Sequence, residues 1–267
     1  MIFTADIEDW QQSVFDFNRP VSTRVLHNTW QLLDLLEQHH ITGTFFVQGM
    51  VTERFPQLVK AIAQRGHELA CHAYSHRPLY TLNAASFREE LERSVLPLED
   101  LSGQKVLGFR APTFSVREPM LDWYCELLLA YGIRYESSIM LAQVRKEYGF
   151  ADSSILDQIR TRGLDTYPLS TSKLLGKSLP VMGGGYFRIY PYWLNHWLAR
   201  HLDADSSIFY MHPYELDMHE YRDVAKPAGI SRRWALHQFA GRGSIQHKLK
   251  KLFADYRFTS FQQFYYA

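Results

Sequence analysis

A chain of 267 residues, 46% hydrophobic and 21% charged, has the composition of a soluble globular protein and the length to bury a large core. A formal net charge of +1 excludes the broad basic footprint of a nucleic-acid binder, and no run approaches the ~20 apolar residues of a membrane span. Two cysteines, Cys71 and Cys125, cannot staple a domain this large; with no secretory leader legible in MIFTADIEDW, a reducing, cytoplasmic setting is expected.

Short β-rich runs alternate with helical patterns along the whole chain. IFTA (2–5) reads as a strand, and 22–39 as a helix with Ser22 or Thr23 as its cap. TGTFFVQG (42–49) is a strand, 55–66 a helix stopped by Gly66, and HELACH (67–72) a strand. The helix over 86–101 is expected to break near Pro97. VLGFR (106–110) is a strand, and 118–132 a helix opened by Pro119 and closed by Gly132. IRYESSI (133–139), DTYPLS (165–170) and SIFYMH (207–212) read as strands; 192–202 and 244–256 read as helices. Residues 142–163 and 213–243 look irregular, and RRW (232–234) and HKLKK (247–251) look like solvated faces. The alternation predicts a single α/β domain on a parallel sheet, doubly wound or closed into a barrel.

In such folds ligands gather at the carboxyl ends of the strands. Four polar clusters fall there: Asp6, Glu8 and Asp9; His72 with His76; Arg110 followed by Pro112; and His212. Twelve histidines over this length give roughly half a His-x-x-x-His pair by chance, so His72 and His76 alone prove little. Coincidence with the other clusters gives them weight. One carboxylate and two imidazoles suit zinc or another divalent transition ion, with positions left for water and substrate. A second carboxylate can take a proton from water, His212 can give one to a leaving group, and Arg110 can orient the base by paired hydrogen bonds. These parts fit metal-assisted hydrolysis of an amide or ester.

TADIEDW, HAYSH, RAPTF and MHPYE, in that order and spacing, resemble the motifs of the polysaccharide deacetylase family (NodB-homology, carbohydrate esterase family 4). DIEDW (6–10), GGGYFR (183–188) and HPYELD (212–217) are most similar to its branch linked to exopolysaccharide and exosortase loci. The resemblance implies a distorted (β/α) barrel of about seven parallel strands spanning 1–267, with 213–267 as a branch-specific region packed on it. It implies a metal-dependent N-deacetylase acting on an N-acetylated carbohydrate. Asp6 would be the general base, His212 the general acid and Arg110 the orienting arginine; His72 and His76 would hold a divalent transition metal, zinc by expectation. The third ligand is Asp9, with Glu8 as the alternative. The family's Asp-x-x-Asp-Trp motif has no clear counterpart here, which leaves open how His212 is held. Trp10, Pro112, Tyr186 and Arg188 are candidates for contact with the sugar. For Trp10 a place in the core, and for GGGYFR a tight bend, are equally open readings.

Overall fold

Ile2–Ile7 forms a strand (β1) whose six residues are all buried, as a central strand covered on both faces requires. In the computed structural model, which describes residues 1–142, 150, 152–174, 177–202 and 207–266, eight more strands follow. They are β2 (Thr44–Val47), β3 (Glu68–Cys71), β4 (Gly108–Phe109), β5 (Tyr135–Glu136), β6 (Asp165–Thr166), β7 (Thr171–Leu174), β8 (Lys177–Pro180) and β9 (Ile208–Met211). Seven of the nine make one sheet in the order β6-β5-β4-β3-β2-β1-β9, with every pairing parallel. The result is a curled half-barrel in one mixed α/β domain.

The gap between the two edges is bridged by an arm that the sequence pattern did not separate from its surroundings. Leu169 bridges to Met140, the antiparallel hairpin β7–β8 follows, and Gly183 bridges to Tyr210 on β9. Gly183 must be small, because a Cβ there would sit 2.4 Å from the Tyr210 carbonyl oxygen. The GGGYFR segment is neither a bend nor an open loop. It starts a helix, Gly184–Ile189, entered through a left-handed Gly184 (φ 52°).

Three other expectations need correction. The helix containing Pro97 runs unbroken from Ala84 to Ser102, capped by reciprocal bonds between Asn83 and Ser86. A proline inside a helix costs about 3 kcal/mol, and the buried stripe Phe87, Leu91, Val95 and Leu98 offsets it. Residues 213–243 are not irregular: they form helical turns over Pro213–Leu216 and Tyr221–Ala225 and an α-helix over Arg232–Phe239. Within HKLKK, Lys248 is buried and its Nζ donates to the carbonyls of Arg188 (2.6 Å) and Tyr190 (2.7 Å). Of the irregular stretch 142–163, residues 143–149 and 151 lie outside the described residues.

The two ends of the half-barrel differ in chemistry. At the strand starts, Phe261 from the helix Phe261–Tyr265 packs against Phe46, Tyr135 and Tyr167. Its backbone N–H donates to Thr44 Oγ1, and that of Gln262 to Glu68. That end is plugged, so polar side chains at the opposite, carboxyl ends face the only mouth this arrangement leaves among the described residues.

One buried histidine near the plugged end makes the fold acid-sensitive. His67 Nδ1 accepts the Gly43 N–H at 3.2 Å, which requires the neutral ring. Burial, aided by the Arg65 charge, pulls its pKa from 6.5 to about 4. A depressed folded pKa adds stability that is complete above pH 6.5 and lost as the pH falls toward 4. The loss at pH 4.5 should be on the order of 2–3 kcal/mol. Thermal melts of wild type and His67→Gln at pH 7 and 4.5 check this; equal acid loss in both chains would refute it.

Candidate active site

β1 stays in the sheet through Ile7, which pairs with Val47. Alternation along a strand therefore carries Asp6 and Glu8 to one side and sends Asp9 to the other. Asp9 accordingly accepts the Ser22 N–H and Ser22 hydroxyl, each at 2.8 Å, tying residues 9–22 to the helix Arg24–Gln38. It does not meet the histidines. Glu8 takes that place: its Oε2 lies 3.3 Å from His72 Nε2 and in direct contact with His76 Nε2. Glu8, His72 and His76 are all buried and form a group able to hold a metal ion.

The protonation of the two rings makes the point sharper. His72 Nδ1 lies 2.8 Å from the Arg110 carbonyl and His76 Nδ1 3.1 Å from the Ser13 carbonyl. A carbonyl only accepts, so each neutral ring carries its proton on Nδ1 and turns its Nε2 lone pair toward Glu8. Glu8 Oε2 is buried with no hydrogen-bond donor. Two lone pairs and a carboxylate converging in a buried site are the donor set of a divalent cation, with backbone carbonyls fixing the rings as outer partners.

The loop between the histidines is strained and clamped. Ala73 (φ 54°) and His76 (φ 63°) are left-handed without being glycine. Glu90, from the helix Ala84–Ser102, accepts the N–H groups of Tyr74 (2.7 Å) and Ser75 (2.8 Å) and the Ser75 hydroxyl (2.6 Å). Gln12 donates to the Ser75 carbonyl from the other side. Outer partners of this kind are worth about 10–100-fold in metal affinity. Glu90→Ala should weaken zinc binding by that factor in a competitive chelator titration; an unchanged affinity would remove Glu90 from the site.

Arg110 follows β4 and is fully buried. It donates to Asp6 Oδ1 (2.7 Å), Thr4 Oγ1 (2.8 Å), and the Ser137 carbonyl and hydroxyl, with its guanidinium 4.1 Å from the Phe46 ring centre. Asp6 is thus fixed through one oxygen while Oδ2 lies 3.9 Å from His212 Nε2. His212 follows β9, with Nε2 also 3.8 Å from Glu8 Oε1. Its Nδ1 lies 3.0 Å from Glu215 Oε1, and its ring stacks on Tyr214. Burial works against a charged His212, but Glu215, Glu8 and Asp6 prevail and raise its pKa.

Glu215 answers how His212 is held, and the sequence reading missed it. Its signal was present in HPYE: three residues apart in a helical turn that Pro213 opens, the two side chains share one side. Ser137 and Glu90 were also missed, and nothing in local spacing pointed to them.

These groups line one cavity of about 220 Å³, with Arg188, Gly184 and Gly185 on its wall. His237 and Gln238, from the region expected to be irregular, complete the lining. The other expected sugar contacts are not placed there. Trp10 is fully buried against Phe15, Trp234 and Phe239, its Nε1–H donating to Gln238. Pro112 is buried at the start of a helical turn whose neighbours Ala111, Thr113 and Phe114 do the lining. Tyr186 falls outside the lining, its ring 6.1 Å from that of Tyr190.

The polysaccharide deacetylase family model matches residues 15–132, the segment that holds His72, His76 and Arg110. Over that segment the chain is similar to the polysaccharide deacetylase family. A second model, a domain of unknown function (DUF3473), matches residues 137–266, which carry Arg188, His212 and Glu215. Among polysaccharide deacetylase relatives, a peptidoglycan-N-acetylglucosamine deacetylase of Bacillus cereus is 36% identical over 101 residues. The match covers 38% of this chain and 37% of that protein, so the chain spans about a third of that relative's length. A Mycobacterium smegmatis structure solved as a candidate polysaccharide deacetylase shares the fold at a TM-score of 0.59 and 20% identity, over 98% of this chain and 87% of that one. A family 4 pseudoenzyme from Bacillus anthracis does so at 0.55 and 13%, over 98% and 64%.

Proposed function

We propose that the chain is a metal-dependent N-deacetylase that removes acetyl groups from an amino sugar in a glycan or glycan precursor. One observation carries this reading: the Glu8–His72–His76 donor set, the Arg110-held Asp6 and the Glu215-held His212 meet in a single cavity. A zinc-like ion on the donor set would supply a Lewis acid and lower the pKa of water toward ~7.

The chain's own residues divide the proton traffic. Asp6, held by Arg110 through Oδ1, keeps Oδ2 free to take the proton of the attacking water. As the acetyl carbon becomes tetrahedral, His212 delivers a proton from Nε2 to the amide nitrogen; the C–N bond breaks, and acetate and a free amine leave. Glu215 keeps Nδ1 protonated and the imidazolium stabilised, so that the Nε2 proton is the one delivered. Two free, buried cysteines fit a reducing setting, and the proposal extends to a cytoplasmic site of action on a glycan precursor.

Zinc-loaded protein should release acetate from N-acetylated chito-oligosaccharides in preference to small amides and O-acetyl esters. His212→Ala should lower kcat about 10²–10⁴-fold with the metal retained. A fold neighbour is described as a pseudoenzyme, so turnover itself is the deciding measurement. Oligosaccharide binding without acetate release would leave a glycan-binding module as the better account.

A further inference from the structure

Each carboxylate that lines the cavity has cationic company of its own. Asp6 pairs with Arg110 and Glu215 with His212, and Glu8 belongs to the two histidines and the ion they would hold. The cations are not balanced in the same way. Among the described residues three arginines are buried: Arg110, Arg188 and Arg242. Arg110 is bonded to Asp6 and Arg242 to Glu220. Arg188, on the cavity wall, is bonded to no carboxylate among the described residues. Two of its N–H donors go to the carbonyls of Gln238 (2.6 Å) and His237 (2.8 Å), and its Nε has no partner. Its charge is felt at Glu215, but that carboxylate gives its bonded oxygen to His212.

A buried charge with no counter-charge bonded to it is costly. The surroundings add to the imbalance, because the buried cations Arg242 and Lys248 both feel the charge of Arg188. The GGGYFR segment keeps the guanidinium within reach of the cavity. Gly184 and Gly185 line it together with Arg188. A Cβ at Gly185 would touch Arg188 Nη2 at 3.5 Å, so the missing side chain leaves space beside that nitrogen. We propose that Arg188 binds an anionic group of the substrate, a carboxylate or a phosphate carried by the N-acetylated sugar. Charge-assisted bonds to such a group use the donors that the protein leaves unspent, and a planar guanidinium suits two oxygens at once. The substrate class is an acidic N-acetylated sugar, a uronic acid or a sugar phosphate. The inference rests on the N-deacetylase reading above.

The test uses the full chain loaded with zinc and a series of N-acetylated sugars: methyl N-acetylglucosaminide, the corresponding uronic acid, the methyl ester of that acid, and N-acetylglucosamine-1-phosphate. The uronic acid or the phosphate should exceed the neutral glycoside and the ester by at least ~10-fold in kcat/KM. Whichever of the two does so names the source of the charge. Arg188→Gln should reduce that preference to ~2-fold or less, and Arg188→Lys should keep part of it. Gly185→Asp sets a carboxylate against the guanidinium without removing its bonds to the two carbonyls; it should abolish the preference even where Arg188→Gln fails to fold by circular dichroism. Equal kcat/KM on charged and neutral sugars in wild type overturns the inference and leaves the N-deacetylase reading intact. A preference kept in both Arg188→Gln and Gly185→Asp overturns Arg188 as the partner of the anion. No acetate from any sugar, with zinc shown to be bound, overturns the N-deacetylase reading. Calorimetric titration with methyl glucuronide against methyl glucoside then decides the anion site by itself, and equal binding of the two overturns it.

Discussion

Glu8→Ala is expected to cost the protein its bound transition metal, whereas Asp9→Ala is expected to keep it. Among the described residues Glu8 is the one carboxylate in contact with both imidazoles, and removing it leaves two nitrogen donors. The affinity loss should exceed the ~10–100-fold that outer partners cost, enough to empty the site on dialysis. Asp9 touches neither histidine and instead caps the chain at Ser22. Its loss should cost about 1–2 kcal/mol of stability, as for a lost helix cap. Elemental analysis and thermal melts of the two variants separate these roles. Metal lost with Asp9→Ala, or kept with Glu8→Ala, would refute the assignment.

Arg110→Met should be among the most destabilising single changes in the molecule. Methionine can fill the space over Phe46, but Asp6 would be left as a buried carboxylate without its partner. Breaking a buried pair in this way costs about 3–5 kcal/mol, a fall in Tm of roughly 10 °C for a chain this long. The double variant Arg110→Met, Asp6→Asn should recover part of that loss, because the neutral amide costs less to bury. Acetate release should stay lost in both. A single variant as stable as wild type, or a double variant less stable than the single, would contradict the account.

Much of this site was legible in residue order. Parallel strands bring their carboxyl ends to one edge, so Asp6, His72, Arg110 and His212, each at the end of an apolar run, had to be neighbours whatever the loops did. The strand–helix alternation sufficed for the fold class for the same reason. Glu8 against Asp9 was not decidable that way. The choice turns on whether β1 keeps its period through Ile7, and that depends on pairing with Val47, some forty residues along the chain. Trp10 had two readings until the helix Arg232–Phe239 was seen to cover it.

By itself, then, the sequence determined which chemical groups would stand at the mouth of the half-barrel, because strand period and parallel order act locally and repeat. Only the tertiary structure decided their partners: Glu8 between the histidines, Glu90 clamping their loop, Ser137 under Arg110, and His237 and Gln238 walling the cavity. Those contacts join residues distant in the chain, and a buried hydrogen bond leaves no periodic trace in the sequence that makes it.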